Sequence, residues 1–206
     1  MSIPPPADRR DSSRVPPGQT LTRKFPVLHF SHVPAFDAAT YRFRVWGCVE
    51  RPLDLGWAEL TALPRTEDVS DFHCVTTWSR LDNRWGGIAM RTLLERVGPT
   101  PAARHVMVHC LDGYTTNVPL AALDDRDVLV AFEHDGQPLT AEHGGPVRLV
   151  VPKLYAWKSG KWLTGLEVMP RDKRGFWEER GYHNRALPWA EERYSWQEDA
   201  ESTKDL

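Results

Sequence analysis

The chain has no apolar run approaching the ~18 residues that a membrane-spanning helix needs, so it reads as a protein without a bilayer span. It also lacks an excess of charge of either sign. Its 26 Lys+Arg stand against 28 Asp+Glu, which leaves nothing to draw the whole surface onto nucleic acid or an anionic membrane. Cysteine is scarce. Cys48, Cys74 and Cys110 leave one thiol over in any pairing, so a closed disulfide framework is excluded and a reduced, cytoplasmic protein is expected. There is no Cys-x-x-Cys for a structural zinc, no Cys-x-x-Cys-His for a haem, and no internal repeat. Arg9-Arg10 is not followed by the apolar stretch that an export signal carries. What is abundant is proline and tryptophan, 17 and 9 residues, which points to short strands and turns plugged by large aromatics rather than a helical bundle.

Residues 1–22 are rich in Pro, Ser and Arg and read as a flexible arm. Alternation over 41–50 gives a half-buried strand, and 55–64 a short helix stopped by Pro64. A better helix spans 90–98, with Leu93, Leu94 and Val97 on one stripe and Gly98 at its end. Valine-rich runs at 105–111, 127–135 and 146–152 are strands, with a turn at 135–138, and 164–170 closes the set. The remainder is an irregular aromatic wrap, ending in a charged tail over 191–206. The sum is one mixed, strand-rich α+β domain over 23–190.

Cys74 lies where an extended stretch empties into a polar segment, a position that suits a metal ligand, a nucleophile or a buried thiol alike. Cys110 shares a strand face with Val106 and Val108 and reads as core filler; Cys48 reads the same way. The neighbouring pairs His73-Cys74 and His109-Cys110 each offer one ligand at most to a given ion, since adjacent strand residues face opposite ways. A basic strip follows. No acidic residue occurs between Glu142 and Glu167, while Arg148, Lys153, Lys158 and Lys161 do. Lys158, Ser159 and Lys161 share a Gly-containing turn able to offer ammonium groups, a hydroxyl and backbone N–H donors to one anion. His143 and Arg148 flank a Gly-Gly-Pro corner.

HCVTTWS (73–79), LDGYTTNVPL (111–120) and DGQPLTAEHGGPVRLVVPKLYAWKSGKW (135–162) together resemble the molybdopterin-binding domain of the sulfite oxidase family. The likeness runs from about Phe25 to Trp189 and is strongest over 133–162, where H-G-x-P-V-R, V-V-P and K-S-x-K-W follow in order. The resemblance implies a molybdenum-cofactor-dependent oxidoreductase with Mo-molybdopterin and Cys74 as the thiolate ligand. It implies pterin contacts at His143 and Arg148, and a pterin and phosphate segment at Ser159, Gly160 and Lys161 with Lys158 beside it. It also places Asp112 and Cys110 at the strand end facing the pterin, and His29 on the N-terminal pterin loop.

Two positions depart from the sulfite oxidase pattern. The arginine expected five residues after the cysteine is Ser79, with Arg80 next, and the N-terminal pocket arginine falls on Leu28. Arg80 could serve only if the chain shifted by one residue, for which Gly86-Gly87 offers a place to bend. Arg80, His73 and Tyr155 are the candidates for the substrate side, by proximity. The expected partners are a small-molecule substrate and a separate electron-transfer protein. Two rival readings stand beside this one: a cysteine hydrolase or transferase pairing Cys74 with a histidine such as His143, and a non-catalytic ligand-binding domain of the same fold.

Overall fold

Residues 129–132, Leu-Val-Ala-Phe, are buried in succession in the computed structural model, which describes residues 12–199. A strand buries successive side chains only where both faces of its sheet are covered. The strands in chain order are β1 (Thr20–Leu21), β2 (Arg42–Gly47), β3 (Leu53–Gly56), β4 (Thr66–His73) and β5 (Trp78–Ala89), then β6 (His105–Cys110), β7 (Thr115–Pro119), β8 (Leu129–His134), β9 (Gln137–Pro138), β10 (Arg148–Val150) and β11 (Leu163–Met169). Helices α1 (Trp57–Thr61), α2 (Met90–Val97) and α3 (Leu120–Leu123) lie between them.

One sheet runs β1-β5-β8-β10, with β4 also on β5 and β9 on β8; the other runs β3-β2-β11-β6-β7. Both are mixed, since β1 pairs parallel to β5 and β2 parallel to β11, and their other pairs are antiparallel. The main core lies between the sheets: Phe43, Val45, Val106, Val108 and Leu166 of one meet Ile88, Val130, Phe132 and Leu149 of the other. Leu129, Ala131 and Val150 point the opposite way, into a second cluster with Phe72 and Trp85. Arg148, two residues before Val150, faces this second side. Helix α2 buries Met90, Leu93, Leu94 and Val97, each worth roughly 1.5–3 kcal/mol, and Gly98 ends it in the left-handed conformation with its N–H on Leu94 O.

Several expectations shift. The helix at 55–64 starts only at Trp57, because Leu55 and Gly56 belong to β3 paired with β2. The polar segment after Cys74 is a four-residue turn followed by the twelve-residue strand β5. Gly86 and Gly87 sit inside β5 at a bulge, and a Cβ on Gly87 would lie 2.2 Å from Val130 O, so they are a close approach of strands rather than a place to bend. The expected arm is docked over 12–22: Arg14 pairs with Asp71 at 2.5 Å and Asp82 at 2.7 Å, and Thr20 N–H donates to Thr77 O. The expected tail is likewise packed at Glu192 and Arg193, both buried. Residues 1–11 and 200–206 of those two segments lie outside the described residues.

Candidate active site

β4 and β5 form a hairpin whose tip is the turn 74–77. Cys74 N–H donates to Trp78 O (2.9 Å) and Thr77 N–H to Cys74 O (3.0 Å), with Thr77 at φ 72°. This tight return leaves Cys74 buried at the wall of a cleft of about 250 Å³. Burial pushes the Cys74 thiol up, and its Sγ lies 3.1 Å from Thr76 Oγ1.

The basic wall comes from β10 and the turn before β11. Arg148 is 2% exposed, and its guanidinium donates to His143 O (2.9 Å) and Ser159 O (3.0 Å) while lying 5.3–5.9 Å from the Phe25, Phe72 and Trp85 rings. Burial lowers it to about 10. Lys161 Nζ donates to Glu142 O at 2.6 Å, and burial, then the Arg148 charge, lowers it to about 7. Among the described residues neither cation has a carboxylate within salt-bridge distance. Arg148, a buried cation with only carbonyl partners, is incompletely neutralised, so the cleft suits an anion. Ser159 Oγ accepts the Val151 N–H at 2.9 Å, which leaves its own hydrogen to donate. Gly160 crosses directly over Cys110, whose Sγ would be 2.9 Å from a Cβ there.

Cys74, Asp112, His143, Arg148, Ser159, Gly160, Lys161 and His29 all line this cleft. Asp112 accepts from Ser31 Oγ (3.1 Å) and the Tyr114 N–H (3.1 Å); the His29 ring lies edge-on to Trp162. Cys110 is buried in the core beneath Gly160 and does not line the cleft.

Five residues singled out from the sequence lie elsewhere. Lys158 is fully buried on the far side of its turn, where Nζ donates to Asn117 O, Asn117 Oδ1 and Asn184 O and pairs with Glu178 at 2.7 Å. Its charge is used inside the protein. Arg80 does not reach the cleft, because Asn83, His134 and Asp135 occupy its guanidinium. Tyr155 does not line the cleft either; its ring stacks on Trp157 and packs with Val75 and Ala186. His73 turns to Ser79 Oγ (2.8 Å), and Lys153 to Asp125.

The cysteine-hydrolase reading lacks its base. Both His143 nitrogens are engaged, Nδ1 by the Thr140 hydroxyl and Nε2–H by Phe25 O, each at 2.9 Å, and among the described residues no histidine bonds Cys74 Sγ.

Sequence reasoning missed the aromatic walls: Phe25, Phe72, Trp78, Trp157, Trp177 and Tyr182. The high tryptophan count was their signal, but it carries no position. It also missed Gln19 and Arg193, whose side chains donate to Cys74 O (3.1 Å) and Val75 O (2.7 Å) from segments that looked loose.

Residues 29–177 match a family model described as the oxidoreductase molybdopterin binding domain. Among curated proteins, the chain is 45% identical over 186 residues to the uncharacterized oxidoreductase YuiH of Bacillus subtilis (strain 168), covering 90% of this chain and 94% of that one. It is 32% identical to the putative protein-methionine-sulfoxide reductase subunit YedZ1 of Azospira oryzae, over 81% of this chain and 64% of the relative. It is 29% identical to mitochondrial sulfite oxidase of Homo sapiens, over 84% of this chain but only 38% of that protein. The crystal structure of the sulfane dehydrogenase SoxCD from Paracoccus pantotrophus aligns with a TM-score of 0.65 at 23% identity, over 78% of this chain and 47% of that one; this likeness shows the fold.

Proposed function

The chain belongs to the oxidoreductase molybdopterin-binding domain family, and from that premise we propose an enzyme that moves an oxygen atom or two electrons on a small, weakly charged substrate. The cofactor is Mo-molybdopterin. When bound, it supplies a two-electron redox couple at a metal held by dithiolene sulfurs, and the protein supplies ligation, orientation and field. The observation that carries the reading is a buried thiol and two cations, without carboxylate partners among the described residues, facing one cleft. Cys74 Sγ is the soft donor suited to such a metal. Arg148, Ser159, Gly160 and Lys161 hold the anionic, phosphate-bearing part, and His143, Asp112 and His29 border the pterin.

The substrate reading follows from what the cleft does not offer a dianion. Arginine is the best clamp for sulfite, because its planar fork pairs two oxygens and stays charged. Here Ser79 is buried against His73, Leu28 presents an apolar side chain to the cleft, and Arg80 is held by Asp135. The aromatic walls suit a neutral sulfoxide better, and the name of the Azospira oryzae relative, a putative protein-methionine-sulfoxide reductase subunit, points the same way. Sulfite should therefore turn over slowly, with a KM well above ~1 mM, in steady-state assays with an artificial acceptor. Fast, tight sulfite turnover overturns this part. A separate electron-transfer protein and a cytoplasmic location belong to the same proposal; the three free cysteines support the second.

Elemental analysis of protein from a molybdenum-replete host tests the whole reading. Roughly one Mo per chain is expected, with the metal-centred redox activity lost in Cys74→Ser and retained in Cys48→Ser. No metal in the wild type, or equal loss in both variants, overturns it.

A further inference from the structure

The turn that carries Cys74 is held from outside by residues far away in sequence. Gln19 Nε2 donates to Cys74 O (3.1 Å), Arg193 Nη1 to Val75 O (2.7 Å) and Thr20 N–H to Thr77 O (2.8 Å). Arg193 is itself buried over the Tyr155 ring, 5.1 Å from its centroid. With the backbone fixed on that side, Thr76 faces the cleft and its Oγ1 lies 3.1 Å from Cys74 Sγ. A thiolate can only accept, so in the metal-ligating form the hydroxyl must be the donor.

We propose that Thr76 is a positioning residue for the cysteine ligand: its hydroxyl donates to Cys74 Sγ, holds the sulfur in one orientation and draws electron density from it. The inference rests on Cys74 being the metal ligand. Partners of a ligand atom orient it and tune the metal, and hydrogen bonds to a ligating sulfur move the reduction potential. A donor weakens the electron gift of the thiolate, so removing it lowers the potential. Thr76 is exposed to the cleft, so a near-isosteric change there leaves the core untouched.

The experiment compares holoenzymes of the wild type, Thr76→Val and Thr76→Ser by molybdenum content and by midpoint potential under dye-mediated reduction. The expected result is a lower potential in Thr76→Val, beyond the spread of replicates, with Thr76→Ser close to wild type. Loss of molybdenum in Thr76→Val alone also supports the role, since the serine keeps the donor. An unchanged or raised potential at full metal content in Thr76→Val overturns it, as does equal metal loss in both variants. A wild type without molybdenum sinks the proposed function, and this inference with it; a loaded wild type with an indifferent Thr76→Val sinks this inference alone.

Discussion

Lys158 and Lys161 lie three positions apart in one short segment, and the protein treats them in opposite ways. Lys158 is sealed in with Glu178, whose Oε1 also accepts from Trp157 Nε1 and Thr116 Oγ1 at 2.8 and 2.7 Å. Among the described residues Lys161 faces the cleft with one carbonyl partner and no carboxylate. Both are pushed down by burial, but only Lys158 is offset by an ion pair. Where the fold supplies the counter-ion, the cation ties structure together; where it does not, the cation's charge stays uncompensated at the cleft. The Lys158 pair fastens the aromatic wrap, through Glu178 and Asn184, onto β7 and the turn that presents Ser159 to Lys161.

The largest way to break this contrast is Lys158→Met. It strands a buried Glu178 carboxylate and should cost about 3–5 kcal/mol, read as a fall in denaturation midpoint. Lys158→Met combined with Glu178→Leu should recover part of that loss. A single variant as stable as wild type would show that the pair does not tie the wrap down.

Lys161→Glu should do the reverse. Stability should stay within about 1 kcal/mol of wild type, while cofactor content falls at least about tenfold, because repulsion replaces attraction toward a phosphate. Full pterin occupancy in this variant would reduce the basic wall to a solvated face.

A pH series sharpens the same point. Lys161 is lowered to about 7 by burial and the Arg148 charge, so it is charged below that pH and loses charge above it. A phosphate monoester is already dianionic above its second pKa near 6. Binding of a phosphate monoester to apoprotein should therefore weaken several-fold from about pH 7.5 to 9, and do so less in Lys161→Arg, which stays charged. Affinity that is flat or rising over that range contradicts the assignment. The smallest effect belongs to Lys153→Glu. Lys153 pairs with Asp125 at the surface, so cofactor content should not change and stability should move by about 1 kcal/mol or less in a melting experiment.

Much of the framework was readable along the chain. The strands at His105–Cys110, Leu129–His134 and Leu163–Met169 and the helix Met90–Val97 announce themselves, because apolar runs bounded by turn residues have few other solutions. β5 was not readable, because two of its fully buried positions are Ser79 and Asn83. Their polar atoms are satisfied by His73, Ser70 O and Arg80 O, partners that no alternation rule anticipates.

The sequence by itself determined where the candidate side chains lie along the chain: a cysteine at a strand end, a histidine and an arginine around a Gly-Gly-Pro corner, and a lysine-flanked turn. These are local patterns, set within a few residues by turn geometry and side-chain chemistry. Only the tertiary structure decided which of them meet. Arg80 lost its place to Asp135 and His134, Tyr155 to the packing around Trp157, and Lys158 to Glu178 on the wrap. Each outcome depends on a partner brought close by the packing of distant segments. A charge's free energy is set by what surrounds it in three dimensions, and neighbours in sequence leave that open.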